Sequence, residues 1–207
     1  MMDESVQSTA TGLNPGAERC IAIAALEPGD IIATANRSKS SRFIQAATNA
    51  PFSHVILYRG TGYAVDAVPG AGVRQDRLRY LLRDSSIAAV FRSTNATRAE
   101  RELAVKWAEK QTGSPYDITG AARVAVEPGA PGQRIALARL SLSAFDEVPA
   151  ILTVDGHDAS FFCSELVFRA YEVAGAPLVD RRAHRAGPGG VLHTQSLELL
   201  GYLPGGR

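Results

Sequence analysis

Apolar and polar positions alternate most clearly in two short runs on either side of a glycine-bearing loop. The first run is HVILYR at 54–59, the second is YAVDAV at 63–68, and Gly60-Thr61-Gly62 lies between them. Runs rich in Val, Ile and Tyr around such a loop are typical of a β-hairpin. A Pro-Gly turn followed by an Ile-rich run, LEPGDIIAT at 26–34, predicts a further strand before the hairpin.

Other segments follow the 3.6-residue period of amphipathic helices. This period predicts a short helix that ends before Pro51, a brief helix in DRLRYLLRD, a longer helix that stops at Gly113 and a helix over 161–174. SIAAVFRS at 86–93 predicts a buried strand, and HTQSLELLGYL near the C-terminus is interpreted as a short closing helix.

These elements fit one domain with an α+β fold, in which an antiparallel sheet packs against the helix that carries Cys163. A chain of 207 residues is long enough for one domain with a real core and too short for two full ones. Residues 1–18 have no apolar period and are interpreted as a flexible tail, so the domain is expected to span 19–207. The weakly patterned stretch 118–158 is interpreted as an insertion near the site.

Composition narrows the classes of function. The formal net charge is +1, so no bulk charge attracts nucleic acid or an anionic membrane. No apolar run approaches the ~18 residues of a spanning helix, and the N-terminal sequence lacks a signal-peptide pattern. We therefore expect no nucleic-acid partner, no transmembrane segment and, by default, a cytoplasmic location. The cysteines and histidines match no zinc spacing, and no loop resembles a phosphate cradle, so neither metal nor cofactor is predicted.

Cys163, one of two cysteines in the chain, allows two interpretations. It begins an apolar stripe with Leu166, Val167 and Ala170, and free cysteine is a common core residue. Its place in the first helical turn favours a reactive thiol instead, because unpaired N–H groups and the helix dipole stabilise a thiolate there. Ser160 or Asp158 is expected to cap that turn. The thiol is then a nucleophile if a base lies near it.

Four histidines are candidates for that base. His157 lies in a predicted loop, and His184 and His193 lie in a Gly- and Arg-rich stretch where solvent exposure is the ordinary outcome. His54 begins a hairpin strand, which can hold an imidazole at a fixed distance from a thiol.

Asp66 on the second hairpin strand is the candidate for a third partner. With a three-residue loop at 60–62, Asp66 lies on the same side of the sheet as His54, one diagonal step away. A two-residue loop would turn it to the opposite side unless a bulge compensates. Aspartate is disfavoured in mid-strand, so a functional role would explain it, and a solvated strand face is the alternative.

Four segments resemble one family. FSHVILYRGTGYAVDA at 52–67 resembles the histidine hairpin of the NlpC-type papain-like cysteine hydrolases, and FFCSELVFRAY at 161–171 resembles their cysteine helix. LEPGDIIAT resembles the strand before that hairpin, and GSPYD at 113–117 resembles a Gly-x-Pro-Tyr segment of the family. Here His54 precedes the cysteine, which is similar to the circularly permuted branch that includes YiiX/YaeF-like proteins and lecithin:retinol acyltransferase relatives.

The resemblance implies a permuted papain-like fold and acyl transfer through a thioester. Cys163 would be the nucleophile, His54 its base, and Asp66 the group that orients the imidazole. Tyr116 and Ser164 would bind the oxyanion or the substrate, together with the backbone N–H of Cys163.

Three functions remain open. A peptidase or amidase is the leading one, with peptide or peptidoglycan-like substrates, because the non-permuted relatives cleave peptides. A lipid-ester hydrolase or acyltransferase is the second, and a non-catalytic binding module with an inert Cys163 is the third. A cell-wall hydrolase would need a secretion system to reach the periplasm of a target cell, and an immunity protein would then be an expected partner.

Overall fold

A computed structural model of the chain describes residues 19–121, 160–179, 186–192 and 194–204. Six strands and four helices are described there, and two short 3-10 turns accompany them at Ile23–Ala25 and Pro188–Leu192. In chain order the elements are β1 (Ile31–Asn36), α1 (Lys39–Thr48), β2 (His54–Gly60), β3 (Tyr63–Val68), β4 (Gly72–Arg77), α2 (Leu78–Leu81), β5 (Ser85–Ser93), α3 (Arg98–Lys110), α4 (Cys163–Val173) and β6 (Leu197–Tyr202).

The strands form one antiparallel sheet in the order β4-β3-β2-β1-β5-β6. The predicted α+β architecture is therefore confirmed. The predicted closing helix near the C-terminus is wrong, because Leu197–Tyr202 pairs with β5 as an edge strand. Strand β4 was not predicted, and its polar run GVRQDR pairs with β3 over its whole length.

The β2–β3 hairpin has a tighter loop than the sequence indicated. Tyr58 pairs with Ala64 and Gly60 pairs with Tyr63, so the loop contains only Thr61 and Gly62. Both loop residues have positive φ angles, 52° and 78°, as a type I′ turn requires. Arg59 is the extra residue of a β-bulge in β2. The bulge offsets the shorter loop, so the register still brings Asp66 opposite Ile56.

Two apolar clusters cover the two sides of the sheet. Alternate residues of β2 divide between them, with Val55 and Leu57 in the larger cluster and Ile56 and Tyr58 in the smaller one. Helices α3 and α4 pack against each other and against β2, on the larger cluster. This packing holds the beginning of α4 beside the hairpin, because α4 contacts both β2 and β3.

A buried ion pair anchors the beginning of β1. Asp30, which ends the Pro-Gly turn, is fully buried and accepts hydrogen bonds from Arg92 Nε at 2.7 Å and Nη2 at 2.8 Å. Its Oδ2 also accepts the N–H of Glu27 at 2.8 Å. Arg92 lies on β5, so this clamp joins the turn to the far half of the sheet.

The predicted tail at 1–18 and nearly all of the predicted insertion, from 122 onwards, lie outside the described residues. Residues 118–121 form one helical turn at the start of that stretch. Within the described part of the chain, no helix has the length and apolar content needed to span a membrane.

Candidate active site

His54 and Asp66 meet on the same side of the hairpin. His54 is the first residue of β2, and its Nε2 lies 2.9 Å from Oδ2 of Asp66 on β3. The Asp66 side chain is only 2% exposed, whereas that of His54 retains 23% exposure. The carboxylate is thus fixed in the sheet, and the imidazole reaches from it towards the surface.

Cys163 is the first residue of α4, as expected for a thiol in the first helical turn. The residue before it, Phe162, is the N-cap in an extended conformation and supplies no side-chain cap. The expected cap by Ser160 is therefore wrong, and Asp158 lies outside the described residues. Because no side chain caps the helix, its first N–H groups remain directed at the region around the thiol.

The charge of the His54 imidazole depends on Cys163 as well as on Asp66. Burial lowers the pKa of His54, but the Cys163 thiolate, the hydrogen bond to Asp66 and a hydrogen bond to Cys163 outweigh it and raise that pKa to about 10. Because Nε2 is bonded to Asp66, Nδ1 is the nitrogen left for the sulfur. A protonated imidazole next to a cysteine is a common arrangement around reactive cysteines.

Arg74 is a member of this cluster that the sequence reading missed. Its Nε donates to Asp66 Oδ1 at 2.9 Å, and its Nη2 lies 3.3 Å from Oδ2. Burial raises the pKa of Asp66, but the bonds to His54 and Arg74 lower it overall. The available signal was Asp66 itself, because a carboxylate in an apolar strand needs a cation nearby.

Tyr116 is brought to the beginning of α4 by backbone pairing. The segment 113–117 bonds on one side to β4, where Val73 N–H donates to Ser114 O at 2.8 Å. On its other side, Phe161 N–H donates to Pro115 O at 3.1 Å. Burial, then the Cys163 thiolate and Asp117, raise the pKa of Tyr116 well above its ordinary value. Its hydroxyl thus keeps its proton beside the thiol and remains a donor.

Ser164, expected to bind the oxyanion or the substrate, lies on the first turn of α4. Its side chain is fully buried, and its hydroxyl donates to the carbonyl of Ala186 at 2.8 Å. The Ser164 hydroxyl thus links α4 to the segment at 186–192, and a part for Ser164 in oxyanion or substrate binding stays a prediction.

Glu165 is a buried carboxyl on the first turn of α4. Burial and the neighbouring Asp117 raise the pKa of Glu165 to about 7, against the opposing effects of the Phe162 backbone and Arg169. Among the described residues, Oε2 of Glu165 has no hydrogen-bond partner. A protonated carboxyl at neutral pH accounts for this position more easily than an unpaired buried charge.

His157, His184 and His193 all lie outside the described residues. In the described ranges no group of three or more His, Cys, Asp or Glu residues could hold a metal ion.

A thiol on a helix N-terminus, an imidazole and an orienting carboxylate are the parts of a cysteine-dependent acyl-transfer site, and their support by a sheet and a packed helix is the architecture of papain-like enzymes.

Comparison with known proteins agrees with this class. Residues 25–122 match the family of permuted papain-like amidases YaeF/YiiX, also called C92. That match includes the hairpin and the 113–117 segment and ends before the cysteine helix.

Two relatives extend the likeness. The chain is 24% identical over 193 residues to the "Probable lipoprotein peptidase YaeF" of Escherichia coli strain K12, covering 86% of this chain and 67% of that one. The crystal structure of YiiX from Escherichia coli O157:H7, described as a metalloprotein, superimposes with a TM-score of 0.57 at 18% identity. That superposition covers 84% of this chain and 95% of YiiX.

The chain has the permuted papain-like fold, with histidine before cysteine. The family match covers slightly less than half of the chain, and together with the YaeF relative and the YiiX structure it shows a likeness to the permuted papain-like proteins. That family is described as one of amidases, and YaeF is named a probable peptidase, so both likenesses point towards a cysteine hydrolase.

Proposed function

We propose that the protein is a cysteine-dependent amidase or peptidase that acts through a thioester, with Cys163, His54 and Asp66 as its catalytic triad. One observation carries this proposal. The imidazole of His54 is bonded at Nε2 to a buried carboxylate 2.9 Å away, and the Cys163 thiolate is among the groups that raise its pKa. A core-filling cysteine needs neither an imidazole partner nor a helix N-terminus.

The proposed reaction has two halves. The Cys163 thiolate attacks the amide carbonyl, and the oxyanion accepts hydrogen bonds from the Cys163 N–H and the Tyr116 hydroxyl. The His54 imidazolium then gives its proton to the amine as the C–N bond breaks, which leaves a thioester. A water molecule, deprotonated by the neutral imidazole, attacks that thioester. The acid departs, the thiolate is restored, and Asp66 keeps the imidazole in position throughout.

Peptide amides are the substrate class that we favour, with bacterial cell-wall peptides first among them. The support is the amidase family and the peptidase relative. Products released from purified peptidoglycan and from phospholipid vesicles, measured by mass spectrometry, separate a peptidase from a lipid-ester hydrolase. Release of fatty acid without peptide cleavage would replace our proposal with the second one.

A cell-wall substrate also implies delivery to the periplasm of a target cell. Expression of the chain in a bacterium with and without an added export signal tests this part of the proposal. We expect growth to slow only when the signal is present. Equal growth in both cases would remove the reason for the effector hypothesis.

Thiol reactivity tests the triad without a known substrate. We expect iodoacetamide to alkylate Cys163 at pH 6 much faster than the exposed Cys20, which serves as an internal control. His54→Ala should slow the reaction of Cys163, whereas His184→Ala should leave it unchanged. If Cys163 reacts no faster than Cys20, or His54→Ala has no effect, the cysteine is inert and the binding-module function becomes the better one.

A further inference from the structure

Asp66 is shared by two cations that approach from two neighbouring strands. On β2, His54 Nε2 lies 2.9 Å from Oδ2. On β4, Arg74 stands directly opposite Asp66 in the strand register and contacts both oxygens, Nε at 2.9 Å from Oδ1 and Nη2 at 3.3 Å from Oδ2. The three side chains thus form one line across three adjacent strands.

We infer that Arg74 is a positioning residue of this site, which fixes the orientation and the charge of the Asp66 carboxylate on which His54 depends. The inference rests on the proposed function, because it assigns Arg74 a role in the same triad.

The geometric part of the argument concerns rotation of the carboxylate. A single bond to His54 would leave the Asp66 carboxylate free to turn about its last side-chain torsion. Contacts to both oxygens from one planar guanidinium remove that freedom. The backbone pairing of Asp66 with Arg74 sets where the guanidinium lies, so the carboxylate is held before any substrate arrives.

The electrostatic part concerns the cost of a buried charge. Asp66 is almost wholly buried, and a carboxylate in that position tends to take up a proton unless cations stabilise it. The groups that face it are His54 and Arg74, while Asp76 lies near Arg74 and Cys163 near His54. Arginine keeps its charge at every relevant pH, so Asp66 stays ionised even if the imidazole loses its proton.

The test compares Arg74→Gln and Arg74→Lys with Arg77→Gln. Arg77 lies on the same strand, is exposed and contacts Tyr63, so it is a matched control. We expect Arg74→Gln to raise the titration midpoint of the Asp66 carboxyl carbon by about 1 pH unit or more in a carbon-13 NMR titration. Arg74→Lys should produce a smaller rise, because it keeps the charge and loses the two-point contact. Arg77→Gln should leave the midpoint unchanged.

The pH profile of Cys163 alkylation is the second readout. Once Asp66 takes up a proton, it no longer supports the imidazolium, so the acid limb in Arg74→Gln should move towards higher pH. A role in stability alone would lower the rate by the same factor at every pH, and that result overturns the inference, as does an unchanged midpoint in Arg74→Gln.

Two further comparisons keep the inference falsifiable. Arg74→Lys supplies the decisive comparison if Arg74→Gln does not fold, because an unchanged Asp66 midpoint in that variant also overturns the inference. Failure of the proposed function is separately visible, since the wild-type protein would then show no rapid alkylation at pH 6.

Discussion

Asp30 and Asp66 are two buried aspartates in the same sheet, and each is held at both oxygens by an arginine from a neighbouring element. Asp30 binds Arg92, and Asp66 binds Arg74. The two clamps differ in their remaining partner. Oδ2 of Asp30 accepts the backbone N–H of Glu27, whereas Oδ2 of Asp66 contacts the His54 imidazole at 2.9 Å.

This difference distinguishes an Asp–Arg pair that only supports the fold from one that contacts a candidate catalytic residue. The Asp30 clamp is closed, because Arg92 also binds Glu27 and Glu27 binds Arg101. The Asp66 clamp is open on one side, where the imidazole links it to the thiol. An Asp–Arg pair in a sheet therefore does not reveal its role by itself. The third partner decides it, and that partner depends on where the strand lies relative to α4.

Replacement of each aspartate by asparagine should have the largest effects, and the two variants should differ in which property changes, stability or thiol reactivity. Asp30→Asn leaves Arg92 without its buried partner, so we expect a loss of about 3–5 kcal/mol in the free energy of unfolding, measured with urea. The rate of Cys163 alkylation in the folded variant should not change. A marked fall in that rate would show that the two clamps are coupled.

Asp66→Asn should instead act mainly on reactivity. Loss of the carboxylate lowers the pKa of His54 and destabilises the imidazolium–thiolate pair. We expect alkylation of Cys163 at pH 6 to slow by about tenfold for each unit by which that pKa falls. Asp30→Asn is the matched control. An unchanged rate in Asp66→Asn would mean that the carboxylate has no part in the site.

The pKa of His54 reports how strongly Asp66 and Cys163 each act on the imidazole. The His54 pKa of about 10 means that the imidazolium persists through neutral pH and loses its proton only in alkali. The Cys163 thiolate contributes more to this rise than Asp66 does. In proton NMR, with His54→Ala used for assignment, the midpoint should fall further in Cys163→Ala than in Asp66→Asn. The reverse order would contradict the thiolate–imidazolium pair.

Glu165 extends the comparison to a buried acid without an arginine clamp, and the expected effect is the smallest. Unfolded Glu165 ionises near its ordinary value of 4.5 and the folded form near 7, so the unfolded state loses its proton first. Ionisation of Glu165 therefore favours unfolding as pH rises across that window. Glu165→Gln should be more stable than wild type at pH 8 by on the order of 1 kcal/mol.

The matched control for this prediction is Glu172→Gln, at an exposed position on the same helix. Urea unfolding at pH 5 and pH 8 measures both variants. If Glu165→Gln gains no stability at pH 8 relative to pH 5, the buried carboxyl is already ionised without cost, and the repulsion by Asp117 is unimportant.

The hairpin and its two polar residues were predictable because their signals are local. Alternating apolar positions and a glycine loop define the strands, and the strand period places His54 and Asp66 on one side once the register is known. The cysteine helix was predictable for the same reason, since its apolar period lies within eleven residues. The proximity of Cys163 to the hairpin was supplied by the family resemblance.

The parts that were missed depend on pairing between distant segments. The sequence of β4 is a polar run, and its position depends on pairing with β3 on one side and with Ser114 on the other. The Ser114 carbonyl lies so close to Gly72 that no side chain would fit there. β6 has a leucine pattern that suits either a helix or a strand, and the free edge of β5 decides between them. Arg74 was missed with β4, so the open clamp could not be recognised from sequence.

The bulge at Arg59 has a consequence for how this hairpin can change in evolution. Side chains alternate between the two faces of a strand, so an insertion or deletion of one residue in the hairpin would turn every side chain of β3 to the opposite face. Gain of a loop residue and loss of the bulge together would keep the side chains on their present faces, whereas either change alone would turn Asp66 away from His54. Relatives that keep the triad should therefore differ in hairpin length by even numbers, or by a single residue that a second irregularity offsets.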